Sequence, residues 1–291
     1  MTFNDNADIS SGRVSRRGRN TAIGVGGGGG LIAIALLLVS AFTGVDLTGL
    51  APSDGGDTGS DEALTCTAAE ANTDDDCRVQ GAAASLDTYW ATVAPDLGFD
   101  YTAPQPIVDF DQSVNTGCGS ASAAMGPFYC PTDQTIYIDT SFYADLRDQF
   151  GASGGPLAQL YIIGHEWGHH IQHIAGITDG LDLQNTGEDS DSVRLELQAD
   201  CFAGAWLGDA TTTEDENGVT FLEPITQQQI ADALNAAAAV GDDHIQEAST
   251  GQVNPEGWTH GSSEQRQKWF NIGYEGSPAS CETFAVSGSD L

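Results

Sequence analysis

The longest apolar stretch of the chain lies near its N-terminus. Residues 21–45 contain no charged side chain, and residues 31–42 are strongly apolar. About 20 apolar residues span the hydrocarbon core of a bilayer, so this pattern predicts one transmembrane helix over 21–45. Four arginines between residues 13 and 19 precede it, and positive charge favours the cytoplasmic side. We therefore predict a single-pass cell-membrane anchor, with residues 1–20 as a cytoplasmic tail and the rest outside the cytoplasm. A cleaved signal peptide is the alternative.

The rest of the chain alternates between turn-forming and periodic segments. Residues 46–64 are rich in Gly, Asp, Ser and Thr and are predicted to form a flexible linker. Residues 65–291 are long enough for one domain with a sizeable core. Helical spacing predicts helices over 80–93, 156–176, 193–204, 226–240 and 262–274. The expected fold class is α+β, mainly helical with a small sheet, preceded by the transmembrane helix.

Two short β-type segments supply that sheet. Residues 107–110 and 135–139 are rich in β-branched and aromatic side chains. If the second strand lies beside the helix over 156–176, its free edge could pair with an extended peptide. The alternative is an ordinary core strand with both edges paired.

The net charge of the chain argues against nucleic acids as partners. The chain has 42 acidic and 9 basic residues, which gives a formal net charge of −33. A surface this negative repels nucleic acid, so we expect no nucleic-acid partner.

All six cysteines follow the apolar stretch, and none of them is spaced as C-x-x-C. An even number of cysteines in an exported domain favours disulfides over a cysteine zinc site. Fifteen pairings of six cysteines are possible. We predict the pairs Cys66–Cys77, Cys118–Cys130 and Cys201–Cys281.

Three candidate metal-binding and catalytic residues lie in one predicted helix. Residues 165–169 form an H-E-x-x-H pattern, in which His165 and His169 project from one face, one turn apart. Two neutral imidazoles at this spacing can hold one Zn²⁺. Glu166 lies one position further on and can act as general base toward a water without binding the metal itself.

The third ligand must come from another segment. The longer pattern H-E-x-x-H-x-x-G-x-x-H is absent, because Gln172 and Ala175 occupy its last two defining positions. His173 lies too far along the helix from His165 to share one ion with it and His169. In the apolar helix over 193–204, Glu196 and Asp200 share one face. Glu196 can complete a His₂Glu site, and Asp200 can accept the spare ring N–H of a histidine ligand.

Three motifs in this order give the chain a family resemblance. They are H-E-W-G-H-H-I-Q, E-L-Q-A-D-C-F-A-G and H-G-S-S-E-Q-R, with F-Y-C-P and I-Y-I-D upstream. The stretch from about Cys118 to Cys281 resembles the bacterial putative neutral zinc metallopeptidase family. The resemblance implies a zincin-like metalloprotease domain of the gluzincin type and peptide or protein substrates. It also implies His165, His169 and Glu196 as zinc ligands and Glu166 as general base.

A second electrophile near the scissile carbonyl would stabilise the developing oxyanion. His260, in a Gly-flanked loop before the last helix, is our first candidate for this catalytic role, and Arg266 and Tyr137 are the others. The sequence thus predicts a membrane-anchored zinc metallopeptidase. The alternative is a non-catalytic envelope binding protein in which the zinc is structural.

Overall fold

A computed structural model describes residues 2–17, 61–148 and 151–291 and shows an α+β fold. The helices are α1 Ala68–Ala71, α2 Asp75–Val93, α3 Phe142–Asp148, α4 Pro156–Ile174, α5 Asp191–Asp209, α6 Gln227–Ala239, α7 Asp242–Thr250 and α8 Ser263–Glu275. The α+β, mainly helical part of the prediction is thus confirmed.

The strands form one sheet and one hairpin. They are β1 Val14–Arg17, β2 Asp61–Ala63, β3 Ile107–Phe110, β4 Ser113–Thr116, β5 Gly119–Ser122, β6 Phe128–Cys130 and β7 Thr135–Ile138. The sheet order is β2-β1-β3-β7-β6, and β4 pairs only with β5 among the described strands. The central β1–β3 and β3–β7 pairs are parallel, whereas the two outer pairs are antiparallel.

The sheet topology decides whether residues 135–139 form a strand with a free edge or a core strand. Strand β7 lies between β3 and β6 and is hydrogen-bonded on both sides, so it is an ordinary core strand with no free edge. The edge strand on this side is β6, and it packs against α4.

Local sequence signals set the ends of the helices that carry the chemistry. Pro156 stands in the first turn of α4, where its missing N–H costs nothing. Gly176, at φ +70°, takes the left-handed conformation just after its end. Thr226 and Ser262 form capping boxes at the starts of α6 and α8.

Helices α4, α5 and α8 pack together and hold the site. Glycines bring the backbones of α5 and α8 into contact. A Cβ on Gly204 would lie 2.1 Å from the Phe270 carbonyl oxygen, and one on Gly273 would lie 1.9 Å from that of Cys201. Because neither position carries a side chain, the two backbones can come close enough to place Arg266 of α8 against α5.

The three predicted disulfides are confirmed. Cys66 is bonded to Cys77, Cys118 to Cys130 and Cys201 to Cys281. The last bond spans 80 residues and ties α5 to the C-terminal segment. Cys201 therefore faces this segment and not the metal-ligand face of α5.

The N-terminal segment 2–17 is packed into the same domain. Phe3 is fully buried against α2, and the Asn72 side chain accepts hydrogen bonds from the backbone N–H groups of Thr2 and Phe3. Strand β1 lies inside the sheet, between β2 and β3. These residues therefore contribute to the core of the domain.

Arg13 and Arg16, two of the four arginines that suggested a cytoplasmic tail, have partners in this domain. Arg13 donates to the Pro104 carbonyl oxygen, and Arg16 pairs with Asp76 and Asp109. Burial raises the pKa of Asp109 to about 6, although Arg16 opposes this rise. Arg16 therefore stabilises acidic groups of the fold and Arg13 bonds to a backbone carbonyl, so both charges have a role in the domain that the topology prediction did not consider.

The predicted membrane topology is wrong. Arg17 and Asp61 are register partners of the antiparallel β1–β2 pair, so the chain leaves and re-enters one domain at adjacent positions. A single crossing between them would place the two paired strands on opposite sides of a bilayer. An N-terminus in the cytoplasm with the remaining domain outside is incompatible with this pairing.

The transmembrane helix of the predicted fold is not supported either. Within 2–17, 61–148 and 151–291, none of the helices has the length and apolar character needed to cross a membrane. Residues 21–45 and nearly all of the predicted linker 46–64 lie outside the described residues. The division of the chain into those segments and a domain 65–291 stays a prediction.

Replacing Phe3 by Ala tests whether the N-terminal segment stabilises the domain. Loss of a fully buried phenyl ring should lower the free energy of unfolding by about 3–5 kcal/mol, measured by urea denaturation. Met125→Ala, at a side chain that is 48% exposed, is the control and should change it by less than about 0.5 kcal/mol. Equal effects would contradict the packing of residues 2–17 described above.

Candidate metal centre

Helices α4 and α5 bring three predicted ligands together. His165 and His169 project from one face of α4, and Glu196 faces them from α5. The two Nε2 atoms lie 3.2 Å apart. Glu196 Oε2 lies 3.1 Å from His165 Nε2, and Oε1 lies 3.5 Å from His169 Nε2.

These separations fit one tetrahedral ion. Metal–ligand bonds of about 2.0–2.1 Å at tetrahedral angles place donor atoms about 3.3–3.4 Å from one another. The two Nε2 atoms are separated by 3.2 Å, and the two oxygens of Glu196 lie 3.1 and 3.5 Å from one nitrogen each, all close to this value. Residues that make such a set are His165, His169 and Glu196; no other group of three or more His, Cys, Asp or Glu donors occurs in the described parts of the chain.

The protonation of the two imidazoles points to the same conclusion. His165 Nδ1 lies 2.7 Å from Asp200 Oδ1, and His169 Nδ1 lies 2.9 Å from Gln172 Oε1. An ionised carboxylate and an amide oxygen only accept, so each Nδ1 carries a proton. In the neutral rings both Nε2 atoms then carry lone pairs, and they face each other and a carboxylate. Such a cluster is repulsive unless a cation lies within it.

The pKa shifts of His165 and Glu196 reflect the charges around them. Burial lowers the pKa of His165, but Asp200 and Glu196 outweigh burial and raise it to about 10. Burial would raise the pKa of Glu196, but the two histidines hold it well below its ordinary value. The site therefore attracts positive charge, as protons or as a metal ion.

His165 is held by a charged cluster under the site. Asp200 is fully buried and accepts hydrogen bonds from His165 and from the Tyr161 hydroxyl. Arg266 of α8 forms two hydrogen bonds with Asp200, Nε–Oδ2 at 2.8 Å and Nη2–Oδ1 at 2.9 Å. Although burial would raise the pKa of Asp200, Arg266 and His165 lower it to about 2. Asp200 thus lies against His165, one of the two histidines predicted to bind the metal.

Glu166 is buried near His165, His169 and Glu196, with 8% of its surface exposed. Burial raises the pKa of Glu166, and the charges of His165 and His169 lower it. The net result is a raised pKa, which is suited to a carboxylate that takes up and releases a proton.

His260 lies at the rim of the site and is held by Asp242. Asp242 Oδ2 accepts the backbone N–H groups of Thr259, His260 and Gly261, and its Oδ1 lies 3.3 Å from His260 Nδ1. Burial lowers the pKa of His260, but Asp242 and Glu196 raise it overall. The imidazole side chain is half exposed. Asp242 is not among the site residues predicted from the sequence, because its role depends on contacts with the distant residues 259–261.

The other two electrophile candidates are committed elsewhere. Arg266 is buried against Asp200 and Tyr161. The Tyr137 hydroxyl donates to Asp133, and its ring stacks on Phe128 in a separate apolar cluster. Of the three, His260 alone has an exposed functional group close enough to affect Glu196.

The remaining histidines lie outside the ligand set. His173 Nδ1 is 2.8 Å from the Tyr129 hydroxyl, which also contacts the buried His170. His244 bonds through Nδ1 to the Ala239 carbonyl oxygen. The expectation that His173 does not share the site agrees with these contacts.

Comparison with known proteins identifies the family to which the chain belongs. A family model described as "Putative neutral zinc metallopeptidase" matches residues 3–284. The match covers the metal helix, the Glu196 helix and the N-terminal segment. The chain belongs to this family.

Relatives in the zinc metallopeptidase family are similar over most of their length. The uncharacterized protein Rv2575 of Mycobacterium tuberculosis (strain H37Rv) is 48% identical over 223 residues, which cover 76% of this chain and 74% of that protein. The uncharacterized protein YpfJ of Escherichia coli K12 is 40% identical over 268 residues, which cover 90% of this chain and 88% of that protein. No solved structure matches the chain.

Replacing Arg266 by Met tests the charged cluster in this family member. The substitution leaves Asp200 as a buried carboxylate without its cation, so the free energy of unfolding should fall by about 3–5 kcal/mol. Unfolding by urea at pH 7 with a chelator present measures this loss without any contribution from bound metal.

The double variant Asp200→Asn/Arg266→Met supplies the control for that experiment. The introduced amide would be neutral and could still accept from Tyr161 and His165, so the double variant should be more stable than Arg266→Met alone. A double variant that is no more stable than Arg266→Met would contradict the proposed charge coupling.

Proposed function

We propose that the protein is a zinc-dependent metallopeptidase that hydrolyses peptide bonds in peptide or protein substrates. The observation that carries the proposal is the cluster of His165, His169 and Glu196, in which the two Nε2 atoms lie 3.2 Å apart and each lies 3.1–3.5 Å from an oxygen of Glu196. Family membership supports zinc as the ion. A bound Zn²⁺ supplies a Lewis acid that polarises the scissile carbonyl and makes water more acidic.

Glu166 acts as the general base. Its buried carboxylate lies beside the ligands, and its raised pKa lets it take a proton from the attacking water. The same carboxyl group then delivers this proton to the amine of the leaving product. Burial excludes bulk water from the carboxylate, which keeps the proton available for the second transfer.

His260 stabilises the oxyanion. Its Nδ1 lies 3.0 Å from the Thr259 hydroxyl and 3.3 Å from Asp242 Oδ1, so Nε2 is the nitrogen left for substrate. The raised pKa of His260 favours the protonated ring, whose Nε2–H can donate to a developing negative charge. Asp242 is itself fixed by three backbone N–H groups, so the imidazole is oriented before substrate binds.

A structural zinc in a binding protein is the competing function. Closed structural sites have four protein ligands, whereas three-ligand sites leave one position open for chemistry. The described residues supply three donors to this set, together with a buried carboxylate at its side, which favours the catalytic interpretation.

Zinc content per chain and peptide hydrolysis, measured on the full chain, test the proposal. Wild type should hold one zinc ion and cleave an unstructured protein, and a chelator should abolish cleavage. Glu166→Gln should keep zinc and lose activity by at least about 10²-fold, because the base is absent. Glu196→Ala should lose zinc affinity as well as activity.

Glu264→Gln is the matched control, since Glu264 is an exposed acid on α8, outside the site. It should behave as wild type. A wild type without zinc would overturn the metallopeptidase proposal, and a Glu166→Gln variant with full activity would overturn the role of Glu166. Bound zinc without any cleavage would favour the binding protein.

His260→Ala should lower kcat by about 10²–10³-fold with zinc content unchanged, because an oxyanion donor acts mainly in the transition state. Steady-state kinetics on one peptide measure this. His244→Ala removes a histidine that bonds to the Ala239 carbonyl oxygen instead, and it should leave kcat unaltered. Unchanged kcat in His260→Ala would contradict the role proposed for His260.

A further inference from the structure

The second ligand, His169, is supported by uncharged groups. Its Nδ1–H faces the Gln172 side-chain oxygen at 2.9 Å. The Gln172 amide nitrogen lies 2.7 Å from the Leu195 carbonyl oxygen and 3.2 Å from Gln198 Oε1. The Gln198 amide nitrogen in turn lies 2.9 Å from the Cys281 carbonyl oxygen.

Two backbone carbonyls fix the direction of this chain. The Leu195 and Cys281 carbonyl oxygens can only accept, so the amide atoms facing them must be the nitrogens. Gln172 Oε1 therefore faces His169, and Gln198 Oε1 faces Gln172. Every donor then points from His169 toward Cys281, and hydrogen bonds aligned in this way strengthen one another.

The chain is buried and anchored at its far end. Gln172 is fully buried and Gln198 is 7% exposed, so neither amide can exchange its partners for bulk water. Cys281 is bonded to Cys201, which lies on the same helix as Glu196. The final acceptor is thereby held against the helix that carries the third ligand.

We propose that Gln172 and Gln198 are positioning residues that hold His169 as its Nδ1–H tautomer, with Nε2 directed at the metal. Gln172 acts on His169 directly, and Gln198 fixes the amide of Gln172. This inference rests on the proposed function, since it assigns these residues to its zinc site. The two histidine ligands thus differ in support, His165 by a carboxylate and His169 by a neutral amide relay.

The test is zinc affinity of the metal-free full chain, measured by competition with a chelator, beside thermal unfolding of the same metal-free protein. Gln172→Met fills a similar volume but removes the acceptor, and it should weaken zinc binding about 10–100-fold. Gln198→Met should weaken it less, because Gln172 keeps its bond to Leu195.

Gln172→Glu separates positioning from stability. Either protonation state of a carboxyl group offers His169 an acceptor, so zinc affinity should stay within about threefold of wild type. The ionised side chain has no donor for Leu195 or Gln198, so the melting temperature should fall as in Gln172→Met. A merely structural role would make zinc affinity follow the melting temperature in both variants.

Gln159→Met is the matched control. Gln159 is a buried glutamine on the same helix, and its amide donates to the Gly154 carbonyl oxygen, toward the start of α4. It should lower the melting temperature and leave zinc affinity unchanged.

The outcomes separate this inference from the proposed function. Wild-type zinc binding that is unaltered in Gln172→Met overturns the relay and leaves the metallopeptidase proposal intact. Equal weakening in Gln172→Met and Gln172→Glu also overturns it. Absence of zinc from the wild type overturns both. If Gln172→Met does not fold, Gln198→Met with the Gln159→Met control decides the question.

Discussion

The buried charge of Asp200 is the constraint on which the site depends. A carboxylate without solvent must be neutralised and hydrogen-bonded, and Arg266, Tyr161 and His165 meet this demand from two neighbouring helices. The three helices must therefore pack at one distance and in one register. The glycines Gly204 and Gly273 allow that distance between α5 and α8. The ligand face of α4 is oriented as a consequence of this packing.

Around that charge the site combines groups with opposite electrostatic roles. Glu196 is kept ionised by two histidines, while burial keeps the pKa of neighbouring Glu166 high. Two carboxyl groups in one small site thus acquire different protonation behaviour from their surroundings. This difference suits the roles of metal ligand and proton carrier that we propose for Glu196 and Glu166, and it arises from placement rather than from residue type.

Much of the site could be predicted from the sequence because its signals are local. The i, i+4 spacing of His165 and His169 and the acids at 196 and 200 in an apolar helix define faces without knowledge of the fold. The capping residues Thr226 and Ser262 are equally local. Asp242 and Gln198 could not be predicted, because their partners lie 18 and 83 residues away. Their roles depend on tertiary packing.

The N-terminal arginines show how a local sequence pattern can lead to a wrong prediction. Arg13 and Arg16 next to a long apolar stretch match a membrane-topology signal, yet both bond to groups of the folded domain. The family match, which begins at residue 3, agrees with their inclusion. Charge near an apolar stretch has two physical explanations, and only the three-dimensional partners of the charges separate them.

The pairing of Arg17 with Asp61 also bears on how this chain can change in length. The two strands that flank residues 18–60 are already hydrogen-bonded neighbours, so the connection between them does not set their register. Insertions or deletions between these strands are therefore a route by which members of the family can diverge while the sheet, the three helices and the ligand geometry stay the same.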